Sequence, residues 1–126
     1  MKNVVTPETA RKLKEAGFKQ PEPAPGQVWY NVNDIPIFVV GETKSKVYYV
    51  IFGVNLVYIE PKRDFVLNLV FAPTATDILR ELGNQYVLRT WSIGEKFAVK
   101  HDNGEKCWND NPAEAAALAW LEKYAK

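Results

Sequence analysis

The stretch Phe71-Ala72-Pro73-Thr74-Ala75-Thr76-Asp77-Ile78-Leu79-Arg80-Glu81-Leu82-Gly83 decides how this chain is read. Pro73 cannot donate to a strand ladder, so the apolar run before it ends there. Thr74 and Asp77 stand three apart. The Thr hydroxyl can accept from the amide of Asp77, and the carboxylate can reach back to the amide of Thr74, as in a capping box. Ile78, Leu79 and Leu82 then form one apolar stripe, with Asp77, Arg80 and Glu81 outward, and Gly83 stops the helix. A strand-rich region, residues 27–71, precedes this point. A helix, three strands and a helix, residues 72–126, follow it.

Downstream, strands are predicted over Tyr86 to Trp91, Lys96 to His101 and about Glu105 to Trp108. In the second, Phe97 and Val99 alternate with Lys96, Ala98 and Lys100, which puts Phe97 and Val99 on the covered face. Asn103-Gly104 predicts a two-residue hairpin that sets His101 opposite a residue near Lys106. Asn111-Pro112-Ala113-Glu114 opens the last helix with a cap, a first-position proline and a third-position carboxylate. Ala113, Ala116, Ala117, Trp120, Leu121 and Tyr124 share a face of it, and Glu122 with Lys126 forms an i,i+4 pair. The helix-three strands-helix order is that of the double-stranded-RNA-binding domain. That family places lysines at the start of its last helix, where Asp110 to Glu114 carries two carboxylates and no base.

Upstream, Thr6-Pro7 caps a first helix within residues 1–20. Ala10, Leu13 and Ala16 form its apolar stripe, and Gly17 its left-handed stop. A helix this short is marginal alone, so it is expected to dock on the sheet that follows. Gln20-Pro21-Glu22-Pro23-Ala24-Pro25-Gly26 reads as an extended connector. Strands are predicted at Val28 to Tyr30, Ile35 to Val40, Val47 to Phe52, Leu56 to Ile59 and Phe65 to Phe71, with Pro61-Lys62-Arg63-Asp64 as a turn. Val47 to Phe52 is apolar on both faces and is therefore covered twice or held at an interface between protomers. The fold class is α+β, in one compact body over residues 1–126.

The bulk numbers are those of an ordinary globular protein: 126 residues, 47% apolar, 25% charged, formal net charge +1. Charge splits as +3 over residues 1–63 and −2 over residues 64–126, too mild to imply a polyanion partner. Cys107 is the single cysteine, which points to a reducing, cytoplasmic compartment, and no apolar run approaches membrane-spanning length.

Chemistry-bearing patterns are sparse. His101 and Cys107 on neighbouring strands, with Asp102 and Asp110 nearby, make neither a zinc spacing nor an in-phase nucleophile pair. Asp77 and Glu81 share a solvent face beside Arg80, where an ion-pair surface is expected. Glu42-Thr43-Lys44-Ser45-Lys46 lacks the spacing of a phosphate-binding loop. No catalytic residue, cofactor or metal is named. Trp29, Tyr30, Tyr48, Tyr49 and Tyr58 form the candidate interaction surface. Arg11, Lys12, Lys14, Lys44, Lys46, Lys62 and Arg63 form the candidate basic patch.

Three segments together resemble a group of small phage and prophage proteins of uncharacterised function. They are Glu8 to Phe18 with Gly26-Gln27-Val28-Trp29-Tyr30, then Phe71 to Leu79, then Asn111-Pro112-Ala113-Glu114-Ala115. The last 55 residues also resemble the phage α/β/α sandwich domain. The matching residues are helix caps and turns, so the resemblance implies a fold, a mobile-element origin and a bacterial cytoplasm, and transfers no catalytic residue. The expectation is a non-enzymatic accessory protein acting by protein–protein contact, including contact with a second copy, and not at a membrane. The alternatives are a nucleic-acid-binding module and an enzyme without a recognisable motif.

Overall fold

The computed structural model describes residues 4–83, 86–90, 97–101 and 104–124. Among them are four helices and eight strands, an α+β architecture in which every strand pair is antiparallel. The single body expected from the sequence divides into two compact units, Met1–Ala16 with Pro73–Lys126, and Gly17–Ala72.

The first unit begins with α1 (Pro7–Glu15), whose cap Thr6 accepts from the Thr9 amide. Ala10 and Leu13 are fully buried. This helix docks on α4 (Pro112–Tyr124) rather than on the sheet that follows it in sequence. The reason is a set of polar ties at the chain's start. Val5 donates its amide to the Pro73 carbonyl at 3.2 Å, and Val4 bridges Thr74. Asn111 caps α4 through Oδ1 to the Ala113 amide and donates from Nδ2 to the Val4 carbonyl, both at 2.9 Å. Glu114, expected to complete a capping box with Asn111, instead accepts from the hydroxyls of Thr6 (3.0 Å) and Thr9 (2.8 Å) at Oε1.

In α3 (Ala75–Leu82) the capping box is as read: the Asp77 amide reaches Thr74 Oγ1 at 3.2 Å, and the Thr74 amide reaches Asp77 Oδ2 at 3.0 Å. Ile78 and Leu82 are buried and Leu79 half-buried. A three-stranded sheet follows, β6 (Val87–Thr90), β7 (Phe97–His101) and β8 (Gly104–Asn109), in that order. In β7, Ala98 is fully buried and Phe97, expected on the covered face, is only half-buried, while the side chain of Val99 lies outside what the structure describes. A register irregularity between Phe97 and Val99 breaks the simple alternation, and a methyl side chain suits the close approach of Ala-rich α4. The hairpin pairs His101 with Gly104 and Lys106 with Val99, so the predicted register opposite His101 is corrected. In α4, Ala113, Ala115, Ala116, Ala117, Ala119 and Trp120 are all buried, so the helix is covered around more of its circumference than one stripe; Tyr124 is exposed. Asn84, Trp91 to Lys96, Asp102, Asn103 and Lys126, with the Glu122–Lys126 pair, lie outside the described residues.

The second unit is a five-stranded sheet built from β1 (Val28–Tyr30), β2 (Pro36–Glu42), β3 (Lys46–Ile51), β4 (Val57–Pro61) and β5 (Val70–Ala72), ordered β4-β3-β2-β1-β5. Here the reading of residues 61–71 is corrected. Lys62–Asn68 is a helix, α2, and only Val70–Ala72 is strand. β4 and β5 lie at opposite edges, so the segment joining them has to cross the sheet, and as a helix it satisfies its own backbone on the way. Its one buried side chain, Phe65, sits 5.2 Å edge-on from Trp29 and 5.4 Å from Tyr49, ring centre to centre. Trp29 also meets Phe71 at 5.4 Å. With Ile37, Val39 and Val47 these rings form the core on the sheet's inner face.

Phe65→Ala is expected to cost about 3–5 kcal/mol by urea unfolding, as a large core ring leaves a cavity. Thr74→Ala is expected to cost about 1 kcal/mol through loss of the cap. Comparable losses for the two would remove α2 from its place as the plug of this core.

Candidate functional site

The register of the second unit assigns every strand side chain to a face. Trp29, Ile37, Val39, Tyr49 and Tyr58 share the inner face under α2, and Tyr49 and Tyr58 are directly opposed, their rings stacked at 5.5 Å. The outer face carries Phe38, Tyr48, Val50, Val57 and Ile59, with Phe38↔Val50↔Val57 and Tyr48↔Ile59 as cross-strand partners. Toward β1 and β5 this outer face is buried at Val28, Tyr30 and Ala72. Toward β4 it is open: Val57 is 59% and Ile59 60% exposed, and Tyr48 and Val50 are half-buried. Val40, beside the irregularity in the β2–β3 ladder, is also exposed, as is Leu56, which precedes β4.

The five aromatic residues singled out from the sequence therefore part company. Trp29 and Tyr30 are buried, so neither belongs to an exposed surface. The Trp29 indole donates to Gln27 Oε1 at 3.0 Å, an acceptor shared with the Ala24 amide, which ties the proline-rich connector to this unit. Tyr49 and Tyr58 pack on the inner face, and Tyr48 alone of the five lies on the open one. The residues that carry the open surface, Val50, Val57 and Ile59, are aliphatic. Their signal in the sequence was the alternation of Val57 and Ile59 around Tyr58, and it takes the neighbouring strand to show which face is open.

The basic residues also divide. Arg11, Lys12 and Lys14 are exposed on α1 in the first unit, where Lys12 pairs with Glu8 at 3.4 Å. Lys44, Lys46, Lys62 and Arg63 gather at one end of the second unit, because Lys46 pairs with Pro61 in the ladder and the Lys62 amide donates to the Ser45 carbonyl. Glu42 holds Lys62 at 2.8 Å and Asp64 follows in the first turn of α2, so the cluster is interleaved with carboxylates. The side chains of His101 and Cys107, and Asp102 between them, lie outside what the structure describes. Among the described residues no group of three or more His, Cys, Asp or Glu is placed to hold a metal ion. Among them, too, no helix is long and apolar enough to cross a membrane.

The sheet's two edges are finished differently. The hydrogen bond from the Lys62 amide to the Ser45 carbonyl sets the phase of the β3–β4 ladder: residues 58 and 60 point their backbone groups at β3, and residues 57, 59 and 61 point theirs outward. By the same alternation Phe71 is the outward-facing residue of β5, and its amide is taken by Gln20 Oε1 at 3.0 Å. The β5 edge is thus three residues long and closed by a side chain. The β4 edge is five residues long, and no hydrogen bond to the outward groups of Val57 and Ile59 is found among the described residues.

Tyr49 is the titratable side chain of this inner face whose environment shifts it. Burial pushes its phenol above the ordinary 10.0, and the neighbouring Glu60 carboxylate adds to the shift. No family model, no curated protein and no solved structure matches the chain.

The fold favours the neutral Tyr49 phenol, so its contribution is complete below pH 10.0 and is lost as pH rises through its own higher value. In urea unfolding on either side of that pH, the stability advantage of wild type over Tyr49→Phe is expected to shrink on the alkaline side. An advantage that does not change with pH would detach the alkaline loss from Tyr49.

Proposed function

We propose that this chain is a non-enzymatic accessory protein that works by protein–protein contact, through the outer face of β3 and β4. The single observation behind the proposal is the open apolar stripe of Tyr48 and Val50 on β3 and Val57 and Ile59 on β4, the edge strand of the sheet. Apolar side chains at scattered surface positions are commonplace; contiguous ones along an unpaired strand edge favour association. The resemblance of its helix caps and turns to small phage and prophage proteins supports a mobile-element origin and a bacterial cytoplasm as its place of work. Nucleic-acid binding has weaker support: the basic cluster at Lys44, Lys46, Lys62 and Arg63 is offset by Glu42 and Asp64, and the α1 bases belong to the other unit.

The pair Val50→Thr and Val57→Thr keeps β-branching and removes most of the stripe's apolar character. The doubly substituted chain is expected to keep its melting temperature within a few degrees, and to lose at least about tenfold of whatever association the wild type shows, a change of about 1.4 kcal/mol. Sedimentation velocity reads self-association, and chemical cross-linking in a bacterial lysate reads other partners. Absence of both in the wild type, or association untouched by the substitutions, would sink the reading.

A further inference from the structure

We infer that the occupant of the β4 edge is a second copy of this chain, paired antiparallel through β4 itself about a two-fold axis at Tyr58. The inference rests on the protein–protein reading above and names its partner.

Hydrogen-bond phase selects the register. Outward backbone groups belong to residues 57, 59 and 61, and Pro61 has no N–H to offer. A two-fold at Tyr58 sets Val57 opposite Ile59 of the second copy and Ile59 opposite its Val57. Each pair exchanges both of its N–H···O=C bonds, four in all, and Pro61 falls outside the ladder. A two-fold at Ile59 would instead set Val57 opposite Pro61 and leave the Val57 carbonyls without donors. A two-fold at Glu60 would face like charges and again bring proline into the ladder.

Side-chain chemistry agrees with the same axis. On the outer face it joins Val50 and Val57 of one copy to Ile59 and Tyr48 of the other, an unbroken apolar row from β3 to β3. On the inner face it continues the Tyr49–Tyr58 stack into its own image. Glu60, the one charge on β4, lies opposite Leu56, itself 62% exposed, and about 13 Å along the ladder from its own counterpart. β5 has no equivalent capacity, being short and closed at Phe71 by Gln20. A five-residue ladder covers less than the roughly 800 Å² per partner of a standard interface, so a weak, micromolar dimer is expected.

The full chain, followed by sedimentation equilibrium over a micromolar-to-millimolar series, provides the test. Wild type should be a reversible dimer. Ile59→Pro, which removes an outward amide and none that serves β3, should raise the dissociation constant about a hundredfold, whereas Ile59→Ala, which keeps the amide, should raise it far less. In a Cys107→Ser background, Tyr58→Cys should oxidise to a disulfide-linked dimer, since directly opposed residues of a non-hydrogen-bonded pair stand about 4.5 Å apart between Cα atoms. Glu60→Cys should not. These cysteine variants decide the matter even if the proline variant does not fold by circular dichroism.

A dimer indifferent to Ile59→Pro, or equal cross-linking at both cysteines, overturns the edge pairing while leaving protein–protein contact standing. A wild-type monomer overturns the second copy. If that monomer still forms lysate adducts that Val50→Thr with Val57→Thr loses, the docking face survives with a different partner; if it forms none, both readings fall.

Discussion

The tie between the start of the chain and its middle constrains everything else. Val5 bonds Pro73, Val4 bridges Thr74 and answers Asn111, and Thr6 and Thr9 share one oxygen of Glu114. Through these contacts α1 becomes part of the helix-three strands-helix unit instead of a leader to the five-stranded sheet. Gly17–Ala72 is the second unit, with a core between its sheet and one short helix. At Glu114, Oε2 is buried and has no hydrogen-bond partner among the described residues.

A unit with a single seven-residue helix can cover only one face of a five-stranded sheet. α2 spends its coverage on the inner face, where Phe65 locks Trp29 and Tyr49. The outer face is buried toward β1 and β5 and is left open toward β4. The contrast between a closed β5 edge and an open β4 edge follows from chain order. β5 is reached by Gln20 from the segment leading into the sheet, whereas β4 is followed at once by a helix that folds over the inner face. Val57 and Ile59 give that open edge its apolar character.

Helix starts were the most legible features. The Thr74/Asp77 box, the Thr6-Pro7 start and the Asn111-Pro112 start are set by side chains bonding backbone within three residues, so no distant contact is needed to specify them. The run from Phe65 to Phe71 misleads because a short apolar segment has no period long enough to separate helix from strand. Here a crossing connection decides, and that is a property of strand order. At Phe97 and Ala98 the ladder is irregular, and an alternating pattern gives no sign of such a break. At the candidate surface, the strand read as apolar on both faces borders the open stripe, whereas two of the aromatic residues singled out with it are buried. Trp29 and Tyr30 are large and apolar enough to serve either core or surface, and their burial depends on neighbours that the sequence does not name.

What the sequence determined by itself was the α+β class, the caps, the turns and the short strands, all products of local bonding and of side-chain shape at the backbone. Tertiary structure alone decided that the chain makes two units, that α1 belongs with α4, that residues 62–68 coil, and that one sheet edge is closed while the other is open. Those outcomes depend on which distant backbone groups meet and which face a helix covers, and contacts between residues far apart in the chain leave no local pattern to read.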